Sequence, residues 1–118
     1  MGDTFNMSGD FRGAIVNIKG RIDHIQHASA EDRESLKVLF DELFKELEKV
    51  PRESKPAAEA VSKTAERLLD DATKPEPNKS LLNITAEGLI EASKALVEVV
   101  PNAIIVAEKI ARFIGGLA

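Results

Sequence analysis

Apolar residues recur at alternating intervals of four and three in the middle of the chain. This spacing is typical of an α-helix with one buried face. Ser29 and Asp32, three residues apart, predict a capped beginning for the helix, and Pro51 predicts its end. The five residues that mark the buried face are Leu36, Phe40, Leu43, Leu47 and Val50.

The same periodicity predicts further helices in the second half of the chain. One runs from about Ser54 to Thr73, with Pro56 tolerated in its first turn. A proline-rich linker near 74–79 follows, and the next helix runs from about Ser80 to Val100. Pro101 either kinks that helix or begins a fourth one, which extends to Ile114 and is ended by two glycines.

The first 20 residues have a different pattern, with short alternating apolar positions that predict two strands. The strands are Thr4–Met7 and Phe11–Lys19, joined by a tight turn at Gly9. A lone hairpin is marginally stable in water, so it must dock on its own helices, pair with identical hairpins or remain disordered. We expect the pairing, and assign six residues to this assembly interface: Phe5, Met7, Phe11, Ile15, Val16 and Ile18.

The expected fold is therefore mainly α, with a short N-terminal β-hairpin and an antiparallel bundle of three to four helices. Residues 1–20 form the assembly element, and residues 21–118 form the bundle, with the linker near 74–79. The residues expected in helical packing or at an interface are Leu36, Phe40, Leu43, Leu47, Leu89, Leu96, Ile104 and Ile105.

Composition narrows the range of functions. The 118 residues carry a net charge of −4, which argues against sequence-independent binding of nucleic acid. There is no cysteine, which excludes disulfides and thiolate chemistry and favours a cytoplasmic protein. No uncharged apolar run reaches about 18 residues, so a standard membrane span is not expected.

Candidate chemistry is sparse. His24 and His27, with Asp23, form the sole candidate metal cluster, and two imidazoles without a placed third ligand make a weak site. The carboxylates lie among lysines and arginines on helix faces, as on a solvated surface, and no phosphate loop or nucleophile motif is present. We therefore expect no metal, no cofactor and no enzymatic activity.

Two stretches carry a resemblance to a known group of proteins. GDTFNMSGDFRGAIVNIK resembles the N-terminal segment of a bacterial family of unknown activity, and PNKSLLNITAEGLIEASKAL is similar to the helical region that follows it there. The family's members lie beside signalling or protease-like modules. The resemblance implies a role in assembly or recruitment, and it implies no catalytic residues.

The leading hypothesis is a non-enzymatic module that forms homo-oligomers through an inter-subunit sheet of hairpins. One alternative is a membrane-active or pore-forming helical effector using residues 81–118, which the glutamates of that segment disfavour. Another is an adaptor that binds a partner protein through a groove between helices. Binding of nucleic acid is not expected under any of the three.

Overall fold

The helices predicted from periodicity form close to their predicted positions. In the computed structural model, residues 11–26 and 28–117 are described, and within those ranges the chain forms five α-helices and no β-strand. A short 3-10 turn, Arg52–Ser54, precedes the third helix. The helices are α1 Arg12–Ile22, α2 Ala30–Glu48, α3 Lys55–Ala72, α4 Lys79–Lys94 and α5 Asn102–Leu117.

Helix α2 follows the sequence prediction most closely. The Ser29 hydroxyl oxygen accepts a hydrogen bond from the backbone N–H of Asp32 at 3.0 Å, so the predicted N-terminal cap is confirmed. All five residues of the predicted face, from Leu36 to Val50, are buried. Phe44, beside that face, is buried as well and widens it.

Helix α4 is capped at its beginning and ends earlier than predicted. The side-chain oxygen of Asn78 accepts a hydrogen bond from the backbone N–H of Leu81 at 3.1 Å. The helix ends at Lys94 instead of Val100, and tighter turns carry the chain to Pro101. β-Branched valines and the restriction that a proline places on its preceding residue both disfavour continuation of the helix there.

After Pro101 the chain forms a separate helix, α5, so the prediction of a new helix at this proline is confirmed and the prediction of a kink is not. The prediction that Gly115 and Gly116 end this helix is wrong, because α5 continues to Leu117. Neither glycine has a positive φ, so neither adopts the left-handed conformation that makes glycine a helix terminator.

The strand predicted for Phe11–Lys19 is also wrong, because Arg12–Ile22 is helix α1. The other predicted strand, Thr4–Met7, lies outside the described residues. The described part of the N-terminal region is therefore an additional helix of the bundle.

Packing explains why this segment is helical despite its two glycines. Phe11, Ile18, Ile22 and Ile25 are buried, and Ile15 is partly buried, so one face of α1 and the turn after it enters the core. The spacing of these five positions is four, three, four and three, the same as in α2. Burial of this face outweighs the unfavourable helix propensity of glycine, which is about 1 kcal/mol per residue.

Ion pairs between described residues join α1 to two neighbouring helices. The Lys19 ammonium group lies 2.9 Å from a carboxylate oxygen of Asp41 in α2. The Arg21 guanidinium group pairs with Asp70 in α3. All four side chains are substantially exposed, so these pairs orient α1 more than they stabilise it.

The five helices are arranged as a closed ring around one core. Helix α1 packs on α2 and α3, α3 packs on α4, α4 packs on α5, and α5 returns to α2. The order around the ring is therefore α1, α2, α5, α4, α3. In this order α2 lies opposite the edge that α3 and α4 share.

Because residues 12–22 are helical, we predict that replacing two glycines of α1 stabilises the protein. A methyl group added at Gly13 or at Gly20 would meet no atom within 4 Å, and neither residue has a positive φ. Replacing both glycines with alanine should therefore raise the free energy of unfolding by about 1–2 kcal/mol, because alanine is the better helix former. Urea unfolding followed by circular dichroism measures this difference.

The matched control replaces the same two glycines with valine. A helix favours alanine over valine, whereas a strand favours valine over alanine. We expect the alanine protein to be the more stable of the two. A more stable valine protein would contradict the assignment of residues 12–22 as helix.

Candidate interaction surface

The residues assigned to the assembly interface from sequence are divided between the core and the surface. Phe11 and Ile18 are fully buried within the chain, and Ile15 is partly buried. Val16 is exposed over 70% of its surface. Phe5 and Met7 lie outside the described residues. The buried members cannot be contact residues of an inter-subunit sheet while the bundle is folded.

The residues assigned to helical packing lie mostly in the core. Ile104 is partly buried, whereas Ile105 is 47% exposed and therefore lies on the surface of α5. The six that are buried are Leu36, Phe40, Leu43, Leu47, Leu89 and Leu96.

The candidate metal residues do not form a site in the part of the chain that the structure describes. His24 is exposed, and His27 lies outside the described residues. Within the described ranges, no three histidine, aspartate or glutamate side chains are grouped so that they could hold a metal ion. None of the helices in these ranges is both long enough and apolar enough to cross a membrane.

A groove of about 480 Å³ runs between α3 and α4 and has a mixed lining. We call it the basic groove, because the charged side chains that line it are Lys63 and Arg67. Ile84, on its α4 side, is 63% exposed, the largest such exposure of an aliphatic residue in α4. The lining residues are Ala60, Lys63, Thr64, Arg67, Ile84, Thr85 and Gly88.

Small residues bring the two helices together along the floor of this groove. A Cβ atom at Gly88 would lie 3.5 Å from the Thr64 methyl carbon, so α3 and α4 are close at this point. The Thr64 hydroxyl donates to the carbonyl of Ala60 at 2.7 Å, and the Thr85 hydroxyl donates to the carbonyl of Leu81 at 2.9 Å. Because both hydroxyl protons are engaged, the threonines offer the groove only methyl groups and acceptor oxygens, beside two cations.

The two cations of the basic groove make no ion pair with a described residue, as is also true of four other described lysines: Lys45, Lys55, Lys79 and Lys109. Lys49, Lys74 and Lys94 each pair with a carboxylate three residues earlier in their own helix or its end. In the described ranges neither Lys63 nor Arg67 makes an ion pair. Both charged side chains that line the groove are therefore positive and unpaired within these ranges, on a protein whose net charge is −4, and Glu59 and Glu66 lie one helical turn from Lys63 without pairing with it.

A second groove, between α2 and α5, is electrostatically mixed. Exposed Ile105 lies in it among lysines and glutamates, and Glu46 is already paired with Lys49 at 3.1 Å. Positive and negative groups alternate along this surface, so it has no strong preference for a partner of either sign. Its charged lining residues are Glu42, Lys45, Glu46, Lys49 and Lys109.

The solvent side of α2 carries an exposed row that we call the acidic ridge: Glu31, Glu34, Val38 and Glu42. The residues are three or four positions apart, so they share one face of the helix. Val38 is 56% exposed between the glutamates. In the described ranges Glu31 and Glu42 make no ion pair.

Two lysines lie beside the ridge: Lys45, one turn after Glu42, is exposed and makes no ion pair with a described residue, whereas Lys37 is already neutralised by two carboxylates. The Lys37 ammonium group lies 2.8 Å from an oxygen of Asp23 and 3.3 Å from an oxygen of Glu34. The hydrogen bond to Asp23 is the main cause that raises the pKa of Lys37, and the same bond lowers the pKa of Asp23. Lys37 therefore does little to offset the negative charge of the ridge.

Sequence reasoning did not identify the residues of the basic groove. A signal was present, because Ile84 lies off the buried face of α4, which is marked by Leu82, Ala86 and Leu89. A single large aliphatic residue off the buried face is ordinary, and it marks a contact surface only where other groups of the same surface are known. The cations from α3 could not be connected with it before the packing of α3 on α4 was known.

Comparisons with protein families, with curated proteins and with solved structures each find no match to this chain. The resemblance to a bacterial family accordingly stays a prediction. Function is therefore inferred from the geometry of the basic groove and the acidic ridge.

Proposed function

We propose that this protein is a non-enzymatic module that self-associates through the faces of its helices. The observation that carries the proposal is the basic groove, where exposed Ile84 lies beside two cations without ion-pair partners. Covering an isoleucine that is 63% exposed contributes about 1–2 kcal/mol to association. A role in assembly or recruitment also fits the family resemblance of the N-terminal and α4 segments, and the absence of cysteine favours action in the cytoplasm.

The proposed interface differs from the inter-subunit sheet expected from sequence alone. Phe11 and Ile18 contribute to the core, so they are unavailable for contacts with a second molecule. Among the described residues, most large apolar side chains that remain exposed lie on helices, and Leu81 and Ile84 are both exposed on α4. Helix-to-helix packing therefore replaces strand pairing as the proposed mode of contact.

Analytical ultracentrifugation of the wild type and an Ile84→Lys variant tests this proposal. At about 0.1 mM, a hundredfold above a Kd of about 1 µM, the mean mass of the wild type should approach or exceed twice the monomer mass of 12.8 kDa. The Ile84→Lys protein should sediment as a monomer, because the interface would have to bury a third cation beside Lys63 and Arg67.

Val16→Lys is the matched control, because Val16 is equally aliphatic and exposed but lies on α1, away from the groove. This variant should keep the wild-type mass. A monomeric wild type would overturn the proposal. Loss of association in the Val16→Lys protein alone would also overturn the proposal. The interface would then include the N-terminal segment, as the sequence pattern predicted.

A further inference from the structure

The basic groove and the acidic ridge are complementary surfaces of one chain. The groove has Lys63 and Arg67 one helical turn apart beside Ile84. The ridge has three glutamates around Val38, an arrangement that places negative charge on both sides of an apolar side chain. Each surface has an exposed apolar side chain with charged residues beside it, and the charges of the two surfaces are opposite in sign. Such surfaces can pack together, and the charge pairs fix how the two molecules are aligned.

The fold prevents these two surfaces from meeting within one molecule. Helix α2 packs on α1 and α5, and in the ring it lies opposite the edge formed by α3 and α4. The acidic ridge is on the solvent side of α2, and the basic groove is on the solvent side of that opposite edge. The two surfaces of a chain therefore point in opposite directions.

We propose that the basic groove binds the acidic ridge of a second copy of this chain. Val38 of one copy packs beside Ile84 of the other, and the glutamates of the ridge pair with Lys63 and Arg67. The proposal rests on the self-association proposed above and specifies which surfaces join. The occupant is a second copy because the chain itself carries a helix with the complementary charge and an exposed apolar residue at its centre.

The assembly that follows is head-to-tail. A contact between two different surfaces leaves one groove and one ridge free at the ends of every pair, so further copies add in the same sense. The mean mass should therefore continue to rise with concentration beyond that of a dimer. Association should also weaken as salt is added, because the paired charges lie at the protein surface.

Charge reversal of the two surfaces provides the test. The variant Lys63→Glu/Arg67→Glu has an acidic groove and an acidic ridge, and the variant Glu34→Lys/Glu42→Lys has a basic groove and a basic ridge. Each variant alone should associate at least about tenfold more weakly than the wild type. An equimolar mixture should associate, because each surface then meets one of opposite charge in the other variant.

Two further proteins control for net charge. The chain that carries all four substitutions keeps the wild-type net charge of −4 and should recover self-association. Lys79→Glu/Arg112→Glu changes the net charge as the groove variant does, but alters exposed positions on α4 and α5 that line neither groove and do not belong to the ridge. This control should associate like the wild type. Circular dichroism verifies that every variant is folded.

The outcomes separate this inference from the proposed function. If the wild type associates but the mixture and the fourfold variant do not, the pairing of groove with ridge is overturned and self-association stands. A wild-type mass that stops at the dimer at all concentrations would also overturn the head-to-tail contact. A monomeric wild type would overturn both, and the ultracentrifugation of the wild type alone would show it.

Discussion

Replacing Phe11 with alanine is expected to lower the free energy of unfolding by about 3–5 kcal/mol. Phe11 is fully buried at the beginning of α1, and its ring lies against that of Phe44 from α2, with centroids 5.7 Å apart and planes tilted by 54°. Truncation removes this aromatic contact and leaves a cavity between the two helices. Urea unfolding followed by circular dichroism measures the loss.

Val16→Ala is the control for the Phe11 substitution. The sequence pattern assigned both residues to one interface, but Val16 is exposed on α1. Its truncation should change the free energy of unfolding by no more than about 0.5 kcal/mol. If Phe11→Ala left stability unchanged and weakened self-association instead, Phe11 would be an interface residue and the docking of α1 on the bundle would be contradicted.

The second large effect is expected at Leu89 in α4. Leu89→Ala should lower the free energy of unfolding by about 2–5 kcal/mol, because the side chain is fully buried. Helix α4 packs on both α3 and α5. A cavity at Leu89 therefore weakens the packing of α4 in the ring. Thermal and urea unfolding should agree on the direction of the change.

Ile84→Ala is the matched control on the same helix. Ile84 lies off the buried face of α4 and is mostly exposed, so its truncation should alter stability by about 0.5 kcal/mol or less. This result would also establish that the Ile84→Lys variant reports on association and not on unfolding. Equal losses of stability at Leu89 and Ile84 would contradict the orientation of α4 in the bundle.

The sequence predicted α2 well because several local signals agree there. The apolar spacing, the Ser29 cap and Pro51 all indicate one helix, and the structure has it at Ala30–Glu48. Agreement is poorer where a local signal competes with packing. Glycine is common where a helix ends, yet α5 continues through Gly115 and Gly116.

The N-terminal segment shows the same competition more strongly. Residues 11–18 alternate in a way that fits a strand, and glycine disfavours a helix. The helical spacing becomes clear only when the segment is followed through Gly20 to Ile22 and Ile25, whose side chains are buried with Phe11 and Ile18. Eight residues are too few to separate a period of two from a period of 3.6.

The basic groove could not be predicted from the sequence for a different reason. Lys63 and Arg67 are ordinary exposed residues of α3, and Ile84 is more than 15 positions away on α4. Only the packing of α3 on α4, close at Gly88, brings them to one groove. No local pattern encodes which helix lies beside which.

The sequence by itself determined where most helices lie and which of their faces are buried, because a helical face is set by residues three and four positions apart. The tertiary structure decided the order of the helices around the core and the recruitment of residues 12–22 as a fifth helix. Those choices depend on the fit between surfaces distant in sequence. They also set α2 opposite the edge of α3 and α4, and so turned the acidic ridge and the basic groove away from each other.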